Sequence, residues 1–412
     1  MGRVRRQWLV VVLAGATAAA CTGEPARSAP TGPPPATVPA PDSTLDWTGC
    51  ALPAEPGAVV RAVLPGGDGV PWTAVGQEGG GSAEVRPAAW TAADGCAWSR
   101  SPVRAITPEG GRTGFSAVAR RGRVVAALGR SYSKVHGNAR PTLWRSTGGG
   151  PLREVQLLRE LFGGESGISV DALVSGPDAL LAVGSYITRD KNVAVTVWRS
   201  ADGAGWDRLA PGAGQTSSPG EQLLTRDMAA GPLGSVIVGT AFQVAGGGRD
   251  SFDAAAWYAA GGERVWRRAD LSRSGLVGAG DQRLLAAAPV GPGYAAVAAV
   301  RSDSGFELRS ALSEDGMTWS AGGPLPLARA LPGADRPTAE VAAVGPGLVA
   351  GTAAEGRAAL WRSADGRQWR PETVPGPADG ATGVVLAAGA DRLVLVVQTA
   401  DGPRMHLART GG

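Results

Sequence analysis

The chain has 412 residues, of which 43% are apolar and 18% charged, with 63 Gly and 31 Pro. A single hydrophobic core stops growing near ~250–300 residues, so this length leaves two domains or a repeat architecture. The formal charge of +4 falls to about +1 without residues 1–20, which hold three arginines and no acid; with no basic cluster interleaved with aromatics either, nucleic acid is excluded as a partner.

Residues 1–20 read as a signal peptide. Arg3, Arg5 and Arg6 make a positive start, and the apolar stretch 8–20 has 13 residues, short of a bilayer span. It ends in Ala18-Ala19-Ala20-Cys21. Two cleavages fit. Ala18-x-Ala20 suits an ordinary signal peptidase, and small residues before a Cys resemble a bacterial lipobox, although Ala18 stands where Leu is usual. The second is preferred and makes Cys21 a lipidated residue. Arg5-Arg6-Gln7-Trp8-Leu9 also resembles a twin-arginine export signal, but a plain basic start accounts for it.

Residues 21–43 are that Cys and a Pro-, Ala- and Thr-rich stretch that cannot bury enough apolar surface to fold. Pro-rich chain is extended and semi-rigid. It suits a tether holding a folded domain, residues 44–412, at the outer face of a cell membrane; without the lipid the protein is secreted. If Cys21 is acylated, Cys50 and Cys96 remain as a pair. An exported compartment permits their disulfide. It would close a loop of about 47 residues, worth roughly 4 kcal/mol in the chain-entropy model. The alternative is two free buried thiols.

An internal repeat fills the rest. Trp-Arg-Ser-Ala-Asp-Gly-x-x-Trp occurs at 198–206 and 361–369. Degenerate copies are led by Trp90 (with Asp94 and Trp98), Trp144, Trp257 (with Trp266) and Ala311 (with Ser313, Asp315, Gly316 and Trp319). The leading positions 90, 144, 198, 257, 311 and 361 lie 50 to 59 residues apart. Short apolar runs ending at Gly76, Gly129, Gly184, Gly239 and Gly351 keep the same beat, as do Gly-Pro turns at 176, 231, 291 and 345.

Each unit reads as four short strands. In the third, residues 169–174 alternate, 180–184 form a continuous apolar run, and 194–200 alternate up to Asp202-Gly203. Asp-Gly between strand patterns is a strong hairpin signal, since both residues favour φ > 0. Residues 206–209 supply the outer strand. Four strands per unit make a propeller blade. Six units carry the motif. A seventh begins at Thr382 and stops at Gly412 without an outer strand, while residues 43–47 supply a spare one at the other end. The expected fold is all-β: a seven-bladed β-propeller whose N-terminal strand completes the last blade, six or eight blades fitting less well. One local exception is expected, a short helix over 152–161 on the spacing of Leu152, Val155, Leu158 and Leu161.

The motif resembles the Asp-box, or BNR repeat, of sialidase-type β-propellers, in an exported lipoprotein of actinobacterial type. It lacks one residue between Asp and Trp in its best copies: Ser200-Asp202-Gly203-Trp206, Ser313-Asp315-Gly316-Trp319 and Ser363-Asp365-Gly366-Trp369. The resemblance implies that the box is structural and sits in the turn between the third and fourth strands. A sialidase would also need an arginine triad, a Tyr–Glu pair and an acid/base Asp. Arg86-Pro87 and Arg140-Pro141 lack the middle residue of the family's Arg-Ile-Pro, and Tyr132, Tyr186, Tyr258 and Tyr294 have no neighbouring Glu that makes a pair.

No metal or cofactor is expected. His136 and His406 stand alone, and no Cys-x-x-Cys, His-x-x-x-His, calcium loop or Gly-x-Ser-x-Gly occurs. No catalytic residue stands out. Binding is expected in the long links at 132–140, 186–192 and 243–252, since loops on a rigid scaffold carry function. Links 165–169 and 211–221, between units, are expected on the opposite rim. The leading expectation is a monomeric, non-enzymatic, membrane-tethered module that binds an envelope protein or a glycan; the alternative is a sialidase-like glycoside hydrolase.

Overall fold

The computed structural model describes residues 45–79, 85–131, 140–156, 159–162, 164–218, 220–243, 251–262, 264–278, 280–326, 337–377 and 379–410. The signal segment, Cys21, the tether and most of the links at 132–140 and 243–252 lie outside them.

The strands form seven antiparallel sheets, one per repeat, and so a seven-bladed β-propeller. The first strands of blades 1 to 7 are Val59–Leu64, Thr113–Arg121, Gly167–Ser175, Glu221–Gly231, Gln282–Val290, Glu340–Val344 and Ala381–Ala388. Each contacts the first strand of the next blade, and the seventh contacts the first, so they wall a central channel. Second strands are buried on both faces, as in Trp72–Glu78 and Leu180–Ile187, which is why they read as continuous apolar runs.

The seventh blade is shared between the chain ends. Trp47–Cys50 pairs antiparallel with Gly402–Arg409, with Trp47 opposite Ala408 and Cys50 opposite Met405. This latch is tied to three blades. Leu45 N–H donates to Glu372 of blade 6, the strand itself belongs to blade 7, and a Cys50–Cys96 disulfide fixes it to blade 1.

The repeat's residues have distinct tasks. Leading tryptophans hold the link that enters their own blade: the indole N–H of Trp90, Trp198, Trp257 and Trp361 donates to the carbonyls of Pro53, Leu161, Gly214 and Pro326. The second-strand glycines lie against a kink. In blades 1 to 4 the first strand carries a one-residue bulge opposite the glycine. A Cβ on Gly184 or Gly239 would overlap the carbonyl of Ser169 or Leu224, so only glycine admits the bulged backbone there.

Two expectations fail. Residues 152–161 are not one helix. Leu152–Val155 is the outer strand of blade 2, pairing with Arg140–Thr147, and Arg159–Phe162 is a 3₁₀ turn. The sheet offers the segment a ladder, which outweighs the three-residue spacing of four apolar residues. Leu152 is buried, and Phe162 stacks on Trp198 at 4.7 Å.

The inter-blade links do not lie opposite the second-to-third links either. Gln215 and Ser217 bond the backbone of Val195 and Val193, at the start of a third strand, and Phe252 bridges to Asp281. An antiparallel four-strand meander brings both link types to one rim; the first hairpins and the box turns occupy the other.

Blades 2 and 5 also carry a fifth strand. Val103–Arg104 and Asp270–Arg273, from the preceding link, pair parallel with their outer strands. The extra strand covers an edge that would otherwise be open.

Candidate functional site

The box residues all lie on one rim, each in the turn between third and fourth strands. Asp202 Oδ1 accepts from the N–H of Ala204 at 2.9 Å and Gly205 at 3.0 Å. Asp94, Asp315 and Asp365 accept equivalent pairs. These N–H bonds hold the carboxyls of Asp94, Asp202 and Asp365 below the usual carboxylate range. At Asp315 burial opposes, and the bonds from Thr318 and Met317 outweigh it. Gly203, with φ 75°, donates its N–H to Ser200 Oγ at 2.8 Å and accepts from the Trp206 indole at 3.2 Å. Ser313-Gly316-Trp319 and Ser363-Gly366-Trp369 repeat this. Trp98 is buried beside Asp94 in the same turn position. In the three best copies the Ser, Asp, Gly and Trp bond one another and their own turn, so the motif builds the blade.

The first strands that wall the channel are different. Aligning the seven first strands on their pairing isolates two residues. Opposite the glycine stand Val60, Phe115, Val170 and Thr225 in blades 1 to 4, and Leu284 opposite Ala298 in blade 5. In blade 6 that position is Glu340, opposite Gly351. Just past the bulge stand Ala62, Ala117, Ala172 and Ala286, with Gly383 in blade 7. In blade 4 it is Asp227. Two carboxylates therefore replace apolar or small residues on the first strands.

Glu340 feels the charge of Asp227. Burial pushes Asp227 up to about 6, against bonds from Ala287 N–H at 2.9 Å and Met228 N–H at 2.7 Å. Burial pushes Glu340 up to about 8, and the Asp227 charge adds to it. Two like charges in a poorly solvated channel cannot both ionise easily. The pair holds one proton near neutral pH: Glu340 as an acid, Asp227 as a carboxylate fixed by two main-chain donors.

The neighbouring wall is charged but satisfied. Asp171, the bulged residue of blade 3, accepts from Arg130 at 2.8 Å, Ser169 at 2.7 Å and Thr225 at 2.5 Å. Arg283 forms a two-point pair with Asp281 at 2.7 and 2.8 Å.

No protein-family model matches the chain, and no curated protein does. Among solved structures it is similar to a mutant Trypanosoma rangeli sialidase displaying trans-sialidase activity, at 13% identity and TM-score 0.45, over 89% of this protein and 60% of that one. A thermostable family-43 glycoside hydrolase matches at 13% identity and TM-score 0.38, over 66% and 98%. The native Bacillus subtilis arabinanase Arb43A matches at 10% identity and TM-score 0.35, over 71% and 92%. The protein thus spans 60% of the length of that sialidase structure. Likeness at this level says nothing of activity.

The residues that the sialidase resemblance singles out lie away from Asp227 and Glu340 wherever they are described. Tyr186 lies under Arg208 on a second strand of blade 3. Tyr258 and Tyr294 pack edge to face at the box rim, where Tyr258 Oη donates to Leu233. Tyr132 and His136 lie outside the described residues. His406 pairs with the latch at Gly49, and burial, then Arg404, depresses its pKa. Arg86 and Arg140 open third strands, as strand-shaping residues should. Sequence reasoning misses Asp227 and Glu340. The signal is present as two acids interrupting the small and apolar register of the first strands, but it needs the bulge alignment, which only the pairing supplies.

Proposed function

We propose that the protein is a glycoside hydrolase whose paired carboxylates are Asp227 and Glu340, exported and held at the outer face of the membrane by a lipid on Cys21. One observation carries the activity: both acids break the repeat on the first strands that wall the channel, and the Asp227 charge disfavours that of Glu340. In this reading Glu340 is the general acid. Its proton, retained up to about pH 8, passes to the glycosidic oxygen as the bond to the leaving sugar breaks. Asp227, ionised above about pH 6 and immobilised by the N–H groups of Met228 and Ala287, faces the developing positive charge and takes the proton of the attacking water, or attacks itself. A raised acid beside an ionised base is the division of labour that glycoside cleavage needs.

A second reading has its own observation. Both Asp227 oxygens already accept main-chain N–H bonds, and one donor, Ala287, belongs to the neighbouring blade. That suits a tie between blades in a module that binds an envelope glycan or protein without turning it over. A panel of fluorogenic glycosides separates the two. The hydrolase reading expects turnover that drops by about 10²-fold or more in Glu340→Gln and Asp227→Asn, with melting behaviour retained. Absence of turnover across the panel, with a glycan still retained on an array, establishes the binding module instead.

A further inference from the structure

The outer strand of blade 7 is held unlike any other. In the remaining blades the outer strand follows the third through a turn of the same chain, as Asp207–Arg208 follows Val193–Ser200. Trp47–Cys50 has no such turn and reaches Gly402–Arg409 from the far end of the sequence. Its ladder is four residues long, and its burial is slight. Thr48 and Gly49 are exposed, and Trp47 and Cys50 are half-buried. Leu45, just before it, is buried. Two polar atoms of this ladder are buried without a hydrogen-bond partner: Nε1 of Trp47, and Nε2 of His406, the residue opposite Gly49. Seating the strand must offset the cost of both.

A strand so held depends on its crosslink. Cys50 ends the latch, and Cys96 stands in the box turn of blade 1. Their bond takes the place of the missing turn. Both cysteines are half-buried, beside exposed Gly49 and Ala51 on one side and exposed Ala97 on the other, so a thiolate can reach them. The seam between blades 7 and 1 also has its own hold. Gln398 Oε1 accepts from the Val60 N–H at 3.1 Å, and Gln398 Nε2 donates to the Ala58 carbonyl at 2.9 Å. Val385, Val394 and Val396 of blade 7 pack with Val60, Trp72 and Ala74 of blade 1. Breaking the crosslink therefore frees a strand and leaves the blades joined.

We propose that Cys50–Cys96 is a redox switch for the latch: a dithiol that reduces it frees Trp47–Cys50 and uncovers the edge of Gly402–Arg409, while the rest of the propeller stays folded. One thiolate of the dithiol attacks a cysteine sulfur, the Cys50–Cys96 bond breaks, and a mixed disulfide forms. The second thiolate displaces that cysteine. The dithiol leaves as a disulfide, and its two electrons and two protons end on Cys50 and Cys96. The uncovered edge presents unpaired N–H and C=O groups to any extended strand. A disulfide oxidant reverses the exchange and reseats the latch.

Hydrogen exchange of the full chain under native conditions tests this, before and after dithiothreitol, with thiol alkylation of a parallel sample counting the reduced cysteines. On reduction, Trp47–Cys50 and Gly402–Arg409 should exchange at least about tenfold faster, with Leu180–Ile187 and Gly234–Gln243 unchanged. Oxidised glutathione should restore the protection. Cys96→Ser should exchange as the reduced parent does and ignore dithiothreitol. Protection kept at Gly402–Arg409 once both cysteines are reduced overturns the switch, because the ladder then holds alone. Faster exchange in every blade alike also overturns it, since the bond then stabilises the whole fold and controls no part of it. So does a bond that dithiothreitol fails to reduce in the folded protein.

Discussion

The box turns and the first strands of this propeller obey opposite rules. In the box turns the sequence repeats, and in the three best copies Ser, Asp, Gly and Trp satisfy their own turn. Along the first strands the repeat breaks, and two of the residues that break it are charged. A repeated blade makes the same local bonds wherever it occurs. Chemistry needs an asymmetric point, and seven equivalent first strands furnish one only where the pattern is violated. The lesson is to look for function in a repeat protein at the positions that fail to repeat.

The largest expected effect concerns what both rims depend on, the closed ring. Deleting residues 45–50 removes the strand opposite Gly402–Arg409, the disulfide and the Leu45 bond to Glu372. The disulfide alone is worth about 4 kcal/mol, and an exposed edge is added. Calorimetry should show Tm lowered by more than ~10 °C and a broadened transition. An unchanged Tm would mean that the latch does not hold the ring. Next is Trp206→Ala on the box rim. Its indole is buried and bonded within its turn, so truncation should cost about 3–5 kcal/mol in urea unfolding, with no effect on a ligand at Asp227 and Glu340.

Much of this is legible in the sequence, for physical reasons. Blade number and latch can be read because Trp198–Trp206 and its copies report a local turn that needs the same residues each time. The Cys50–Cys96 disulfide is legible because setting Cys21 aside leaves two cysteines, and the latch brings Cys50 beside blade 1. The rim assignment of the links goes wrong because strand direction, which is set by pairing, is silent in a series of periods. Leu152–Val155 misleads because an outer strand of four residues carries too little alternation to beat an accidental helical spacing. Asp227 and Glu340 stay invisible because they are far apart in the chain and meet only across blade 5.

The carboxylates give the third test. A folded state that raises a carboxyl pKa binds more protons than the unfolded chain between the two values, so stability falls as pH rises through that window. For Asp227 the window runs from 3.8 to about 6; for Glu340 it runs from 4.5 to about 8. A shift of about two pH units corresponds to about 3 kcal/mol. Unfolding followed from pH 5 to 9 should show the protein losing stability, with Glu340→Gln flattening the upper part of the slope and Asp227→Asn the lower. The variants should be the more stable proteins at pH 9. A slope that survives both substitutions would locate the titration elsewhere.

The smallest effect is expected at the box, and with the opposite sign. Asp202 is held below its ordinary pKa of 3.8 by N–H bonds from Ala204 and Gly205. A depressed carboxylate stabilises above the unfolded value, and that contribution is lost as pH falls through the folded one. Asp202 is exposed, so water screens the interaction, and Asp202→Ala should cost only about 1 kcal/mol at pH 7. The cost should shrink below pH 3, where the parent's carboxylate is protonated too. Because Asp94 and Asp365 make the same bonds, their alanine variants should give the same small value, and a double variant should give the sum, since distant sites add. Near-equality among three boxes, set against unequal responses at the two carboxylates, is the quantitative form of the contrast between turns that repeat and first strands that do not.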